Sequence, residues 1–172
     1  MRLVLCVLSL LFLFSLNLTA QASDKGKRLR IYELPPFERA ILCTKHYEGW
    51  HGEKRHLPYI GYGHKLLPGE RLTHKISRAQ GDSLLRADMR KLCRMFRRFG
   101  QDSVLLACLA YQVGPYRLLG GGKHPKSRLI RMLKRGNRDI HKEYVSFRKW
   151  KGSVIPSIER RRRVELALLF EP

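Results

Sequence analysis

Glu48 and Glu53 are the residues on which hydrolytic chemistry could rest. The 172-residue chain carries 35 Lys and Arg against 14 Asp and Glu, so an acid set in a Gly-, His- and aromatic-rich stretch stands out. Two carboxyl groups in unlike settings can cleave a glycosidic bond. One is kept protonated by apolar neighbours and donates to the leaving oxygen. The other stays ionised and either activates water or stabilises positive charge on the sugar ring. Glu48, beside Tyr47 and Trp50, suits the donor. Glu53, followed by Lys54 and Arg55, suits the ionised partner, because cations favour the charged form. Spacing alone is weak evidence, since two glutamates five apart are ordinarily solvated surface. His46, His51 and His56 lie close by, but a five-residue spacing does not build a metal-binding helix face. No metal and no cofactor are expected.

The elements that must position these residues follow from periodicity. Phe37 to Tyr47 reads as a helix that Glu48-Gly49 closes, Gly being the usual residue just past a helix end. Tyr59-Ile60-Gly61-Tyr62-Gly63-His64 reads as a short Gly-punctuated strand pair. Ser77 and Gln80 have the spacing of a capping box. Leu84, Leu85, Met89, Leu92, Phe96 and Phe99 then recur at three and four, predicting a long amphipathic helix over 77–99. Gln101 to Val113 is apolar all round, as a central buried helix must be. Three more helices are predicted over 126–134, 138–147 and 158–170. The fold class is therefore α+β: a small N-terminal lobe with a short β-hairpin, a larger helical lobe, and a cleft between them fit for an extended ligand.

Glu48-Gly49 followed by Tyr59-Ile60-Gly61-Tyr62-Gly63-His64 resembles the active-site signature of phage-type lysozymes (glycoside hydrolase family 24), in which Glu-Gly precedes an Asp and then Thr-Ile-Gly-Tyr-Gly-His. The resemblance continues through Ile76-Ser77 to Asp88-Met89 and through Gln112-Val113-Gly114 and Ser127 to Gly136. It ends with Phe147, Trp150, and Ser157 to Arg162 with Glu165, together covering roughly residues 37 to 170. It implies a lysozyme-like fold. The implied activity is hydrolysis of the β-1,4 bond between N-acetylmuramic acid and N-acetylglucosamine in peptidoglycan. The catalytic residues it implies are Glu48, Glu53 at the position of the family's Asp, and Tyr59 at the position of the Thr that places the attacking water. Trp50, Tyr62, His64 and Gln112 are the implied substrate contacts. Two of these have a structural alternative: Trp50 would cap the core, and His64 would brace the two lobes through a hydrogen bond. Trp150 is expected in the core. Arg160 to Arg163 is expected to be a solvated face with some links between lobes.

The formal net charge of +21 implies an acidic partner. Anionic cell-wall polymers and the glycan strands themselves fit, and nucleic acid is not expected for an exported chain. Export is expected because Arg2, the apolar run Leu3 to Leu18, and Ala20-Gln21-Ala22 form a signal-peptide pattern with cleavage before Ser23. The expected organisation is a leader over 1–22, a basic arm over 23–36 and a catalytic domain over 37–172. The mature product would be a secreted or periplasmic monomer without a membrane anchor. Cys43, Cys93 and Cys108 fit no zinc or redox spacing. Free buried thiols are expected, with one disulfide and a leftover thiol as the alternative in an oxidising compartment. Two rival functions are a lysozyme-like module that grips peptidoglycan without cutting it, and a basic nucleic-acid-binding or lipid-binding protein.

Overall fold

The computed structural model describes residues 30–172 except Lys123. The expected leader over 1–22 and the arm as far as residue 29 lie outside the described residues. Ile31–Glu33 forms a 3-10 turn, with the Arg30 amide donating to Glu33 Oε2 at 3.1 Å. The rest, from Leu34 onward, is a separate compact unit.

In that unit, α1 (Pro36–Glu48) opens on a proline at its first position, where no amide is needed, and Gly49 ends it at φ 69°. A 3-10 turn (Lys54–His56) leads to a hairpin of β1 (Tyr59–Ile60) and β2 (His64–Lys65), paired antiparallel as Tyr59 with Lys65 and Ile60 with His64. The long helix α2 (Arg78–Phe96) starts with the anticipated capping box. The Gln80 amide donates to Ser77 Oγ at 3.1 Å and the Ser77 amide to Gln80 Oε1 at 2.8 Å. It ends three residues earlier than its periodicity suggests. Arg97–Asp102 tightens into a 3-10 turn in which Gly100 takes φ 56°, a left-handed conformation that turns the chain into α3 (Ser103–Val113).

Helix α3 is the axis of the helical lobe. Leu105 to Ala110 are all buried, and α2, α1 and the last helix pack around them. Gly114 breaks the helix, and Pro115 immediately starts α4 (Pro115–Leu119), a short helix that the sequence reading treated only as a break. Next come α5 (Arg128–Lys134) and α6 (His141–Val145). A second hairpin follows, β3 (Lys149–Trp150) with β4 (Ser153–Val154), and then α7 (Pro156–Leu169). That hairpin also went unread, because its strands are two residues long and carry no alternation. It corrects one expectation: Trp150 is 65% exposed, not core. Its ring sits on a two-strand ribbon exposed along both strands, while Phe147 packs against the core.

A second correction concerns α7. Arg160 and Arg163 are solvated, but Arg161 and Arg162 are buried. Positions 161, 162 and 165 fall on the inward side of the helix, and Glu165, itself fully buried, neutralises both guanidiniums. Its Oε1 accepts from Arg161 Nε at 2.8 Å, and its Oε2 accepts from Arg162 Nη1 and from the Tyr144 hydroxyl at 2.9 Å. Isolated charges would not survive there; this set does because donors surround the carboxylate. Glu165→Gln should therefore leave the buried Arg162 guanidinium without a carboxylate and strip Arg161 of one of its two. We expect a loss of about 3–5 kcal/mol of unfolding free energy in urea titrations; a loss under about 1 kcal/mol would show that the network does not hold the helical lobe.

Candidate active site

Glu48 is the last residue of α1, where the helix delivers its side chain toward the β1–β2 turn. Arg161 Nη1 donates to its Oε1 at 2.6 Å. The other oxygen, Oε2, faces Gly63: a Cβ at position 63 would stand in ordinary contact with it at 3.5 Å, with the Tyr111 ring edge at the same distance. Gly63, at φ 92°, takes the left-handed turn that sets the hairpin beside Glu48. Tyr111 is tied to the same turn, its hydroxyl donating to the Tyr62 carbonyl at 3.0 Å. Burial, together with the charges of Asp88 and Glu48, pushes the Tyr111 phenol well above its usual pKa, so it stays a neutral donor.

Gly63 and Tyr111 border a groove of about 520 Å³. One wall is the first hairpin, with Tyr59, His64 and Lys65. Another is the face of α2 that carries Asp88, Lys91 and Met95. The third is the end of α3 running into α4, with Gln112 and Tyr116. Tyr59 and Gln112 are exposed on this groove, where a substrate contact requires them to be. Glu53 stands on the loop between α1 and β1. Its carboxylate is largely exposed and accepts from Arg55 Nη2 at 3.0 Å, a surface pair of small energetic weight. Glu53 therefore stands beside a cation, with solvent rather than protein around most of its carboxylate.

Two expected substrate contacts are engaged within the protein. Trp50 is wedged into the small lobe. Arg78 covers its face at 4.2 Å from the ring centre, Tyr62 packs edge-on at 5.1 Å, and a Cβ on Gly81 would strike its ring at 2.6 Å. These neighbours leave the indole half-buried, capping the core of the small lobe. His64 borders the groove but has both ring nitrogens engaged, Nδ1 with Asp88 Oδ2 at 2.6 Å and Nε2 with Glu70 Oε2 at 3.2 Å. It braces β2 to α2. Tyr62 itself supports the site, through its carbonyl and through the Trp50 contact.

Sequence reasoning missed Arg161, Tyr111 and the acids that hold His64. Arg161 was one of four consecutive arginines, and only the pairing with Glu165 four residues on could have singled it out. Among the described residues, one cluster of metal-ligating type exists: Cys43, Cys108 and Glu165, with donor atoms within 4.8 Å of one another. The carboxylate there is already shared by two guanidiniums, an environment hostile to a cation. Cys43 and Cys108 are buried and Cys93 is half-buried, all as free thiols.

A family model described as phage lysozyme matches residues 45–165. No curated protein of similar sequence was found. Among solved structures, the endolysin from Escherichia coli O157:H7 phage FAHEc1 matches 77% of this chain and 90% of its own with a TM-score of 0.60, at 19% sequence identity. That likeness establishes the fold.

The brace at His64 makes stability depend on pH. Burial draws its pKa down, but hydrogen bonds and charge from Asp88 and Glu70 outweigh this and hold it above the ordinary value. The stabilisation is therefore fully present below about pH 6.5 and is lost as pH rises through the folded-state pKa. In urea titrations the wild type should lose stability between pH 5.5 and pH 8.5, and His64→Gln should flatten that slope. Equal slopes in the two proteins would contradict the assignment.

Proposed function

The chain belongs to the phage lysozyme family, and from that premise we propose that it hydrolyses the β-1,4 bond between N-acetylmuramic acid and N-acetylglucosamine, with Glu48 as general acid. The family makes it a peptidoglycan hydrolase; the bond and the residue roles are our reading. One observation carries it: the Glu48 carboxyl is oriented by Arg161 through Oε1 while Oε2 lies against the groove-lining Gly63. With Oε1 taken by the guanidinium, Oε2, which faces the groove-lining Gly63, is the oxygen left to deliver the proton of a general acid. That proton passes to the glycosidic oxygen as the bond to the sugar ring breaks. Glu53, the second carboxylate of this reading, offsets the positive charge on the ring. The Tyr59 hydroxyl, at the groove wall, orients the water that adds to the anomeric carbon, and the proton this water loses returns to Glu48, directly or through solvent, completing the hydrolysis. Gln112 contacts the glycan across the groove. The apolar leader and the excess of basic residues support export and attraction to the anionic wall.

Turbidity clearing of purified sacculi tests the roles. Glu48→Gln should fold and abolish clearing, because the amide keeps the shape but has no catalytic proton to give. Glu53→Gln should lower the rate by about two to four orders of magnitude, the usual worth of a positioned carboxylate. Tyr59→Phe should lower the rate with little change in binding, as expected of a contact made in the transition state. A wild-type protein that sediments with sacculi without clearing them would instead establish a binding module. Full activity in Glu53→Gln would leave Glu48 as the only catalytic carboxylate.

A further inference from the structure

The groove does not end at the α2 wall. Met95 borders both the groove and a second depression of about 500 Å³ formed by Arg94, Arg97, Arg98 and Leu119. Arg98 in turn borders a third, of about 510 Å³, together with Phe99 and Lys134. The three depressions are thus joined end to end by shared side chains. Lys91, Arg94 and Arg98 recur at three and four along one side of α2 and its 3-10 extension, so they form a stripe. All of these cations are exposed.

Among the described residues, none of Lys91, Arg94, Arg97, Arg98 or Lys134 has a carboxylate partner. The acids bordering this path are committed elsewhere. Asp88 is held by His64, and Asp102, in the third depression, accepts twice from Arg138, at 2.6 Å and 3.0 Å. The cations crowd one another enough that Lys126 and Arg98 lower the Lys134 pKa. Unpaired like charges held this close oppose folding and do nothing for the core. They suit a ligand that brings several negative charges in a row.

We propose that this stripe is a track for the carboxylates of the stem peptides on the same wall strand that lies in the groove. The reading rests on the proposed cleavage of peptidoglycan. Continuity with the groove selects the occupant. An anion that enters the track beside a bound glycan is most simply part of the same molecule, and stem peptides carry free carboxylates at regular intervals along the strand. Guanidinium forks match carboxylates in geometry as well as in charge. The track would act mainly on capture, adding electrostatic affinity that salt screens.

The test compares the wild type with the triple variant Arg94→Gln/Arg97→Gln/Arg98→Gln, whose unfolding midpoint should match because the three side chains are exposed and unpaired. Both proteins are assayed on intact sacculi and on glycan strands stripped of peptide by an amidase, at low and high salt, by co-sedimentation and by rate. At low salt the variant should lose about tenfold or more in binding and rate on intact sacculi, and less than about twofold on stripped strands, with a shallower salt dependence. Equal losses on both substrates, or none on either, would overturn the track. So would a variant that loses binding to phosphatidylglycerol vesicles while keeping its affinity for sacculi, which would assign the stripe to a lipid surface. If the wild type binds intact sacculi in this peptide- and salt-dependent way but clears neither substrate, the proposed cleavage fails and the track stands.

Discussion

The buried carboxylate of Glu165 is the constraint on which the rest of the molecule depends. It sits in the helical core, accepts from Arg161, Arg162 and Tyr144, and touches Cys108 on the central helix. Removing a charge set of this kind from water is costly, and the shared carboxylate offsets that cost, although Arg161 Nη2 and Arg162 Nη2 have no partner among the described residues. The arrangement fixes the rotation of α7 relative to α3. It also fixes Arg161, which reaches with its remaining hydrogen bond to Glu48 at the end of α1. Glu48, the proposed general acid, is therefore aimed by a residue anchored in the helical core as well as by its place at the end of α1. Preorganisation of this sort is what a proton donor needs, since the donor must not swing away between turnovers.

The small lobe is organised by close approach. Gly52 and Gly81 leave the slot that Trp50 fills, since a Cβ on either would strike the indole, and Gly61 lets the hairpin approach α2 at Gly81. A larger side chain at Gly61 or Gly81 would move the hairpin, and with it one wall of the groove. His64 then ties the hairpin to α2 through Asp88. Glycine thus supplies geometry in this lobe and the histidine supplies fixation.

Much of this was legible in the sequence, for physical reasons. Helices of three or more turns announce themselves by a 3.6-residue period, so α1, α2, α3 and α7 appear near their true limits, and the Ser77–Gln80 box marks the start of α2. The five-residue α4 and the second hairpin are too short for any period, and they were missed. Trp50 and Trp150 show why residue type alone cannot place an aromatic. Trp50 is enclosed by two glycines and an arginine far along the chain, whereas Trp150 lies on a ribbon that nothing covers. The site was half legible. Glu48 followed from its place at a helix end before Gly49. Arg161 and Tyr111 are 113 and 63 positions away, and only the packing of α7 and α3 brings them to it.

The measurement closest to the central claim is the chemistry of the ends that cleavage creates. Purified sacculi digested by the wild-type protein are reduced with borodeuteride, and the labelled sugar is identified by mass spectrometry. Cleavage assisted by a proton from Glu48 to the oxygen of N-acetylglucosamine puts the label on N-acetylmuramic acid, and none should appear with Glu48→Gln. Label on N-acetylglucosamine, or label on N-acetylmuramic acid that persists in a folded Glu48→Gln protein, would contradict the account.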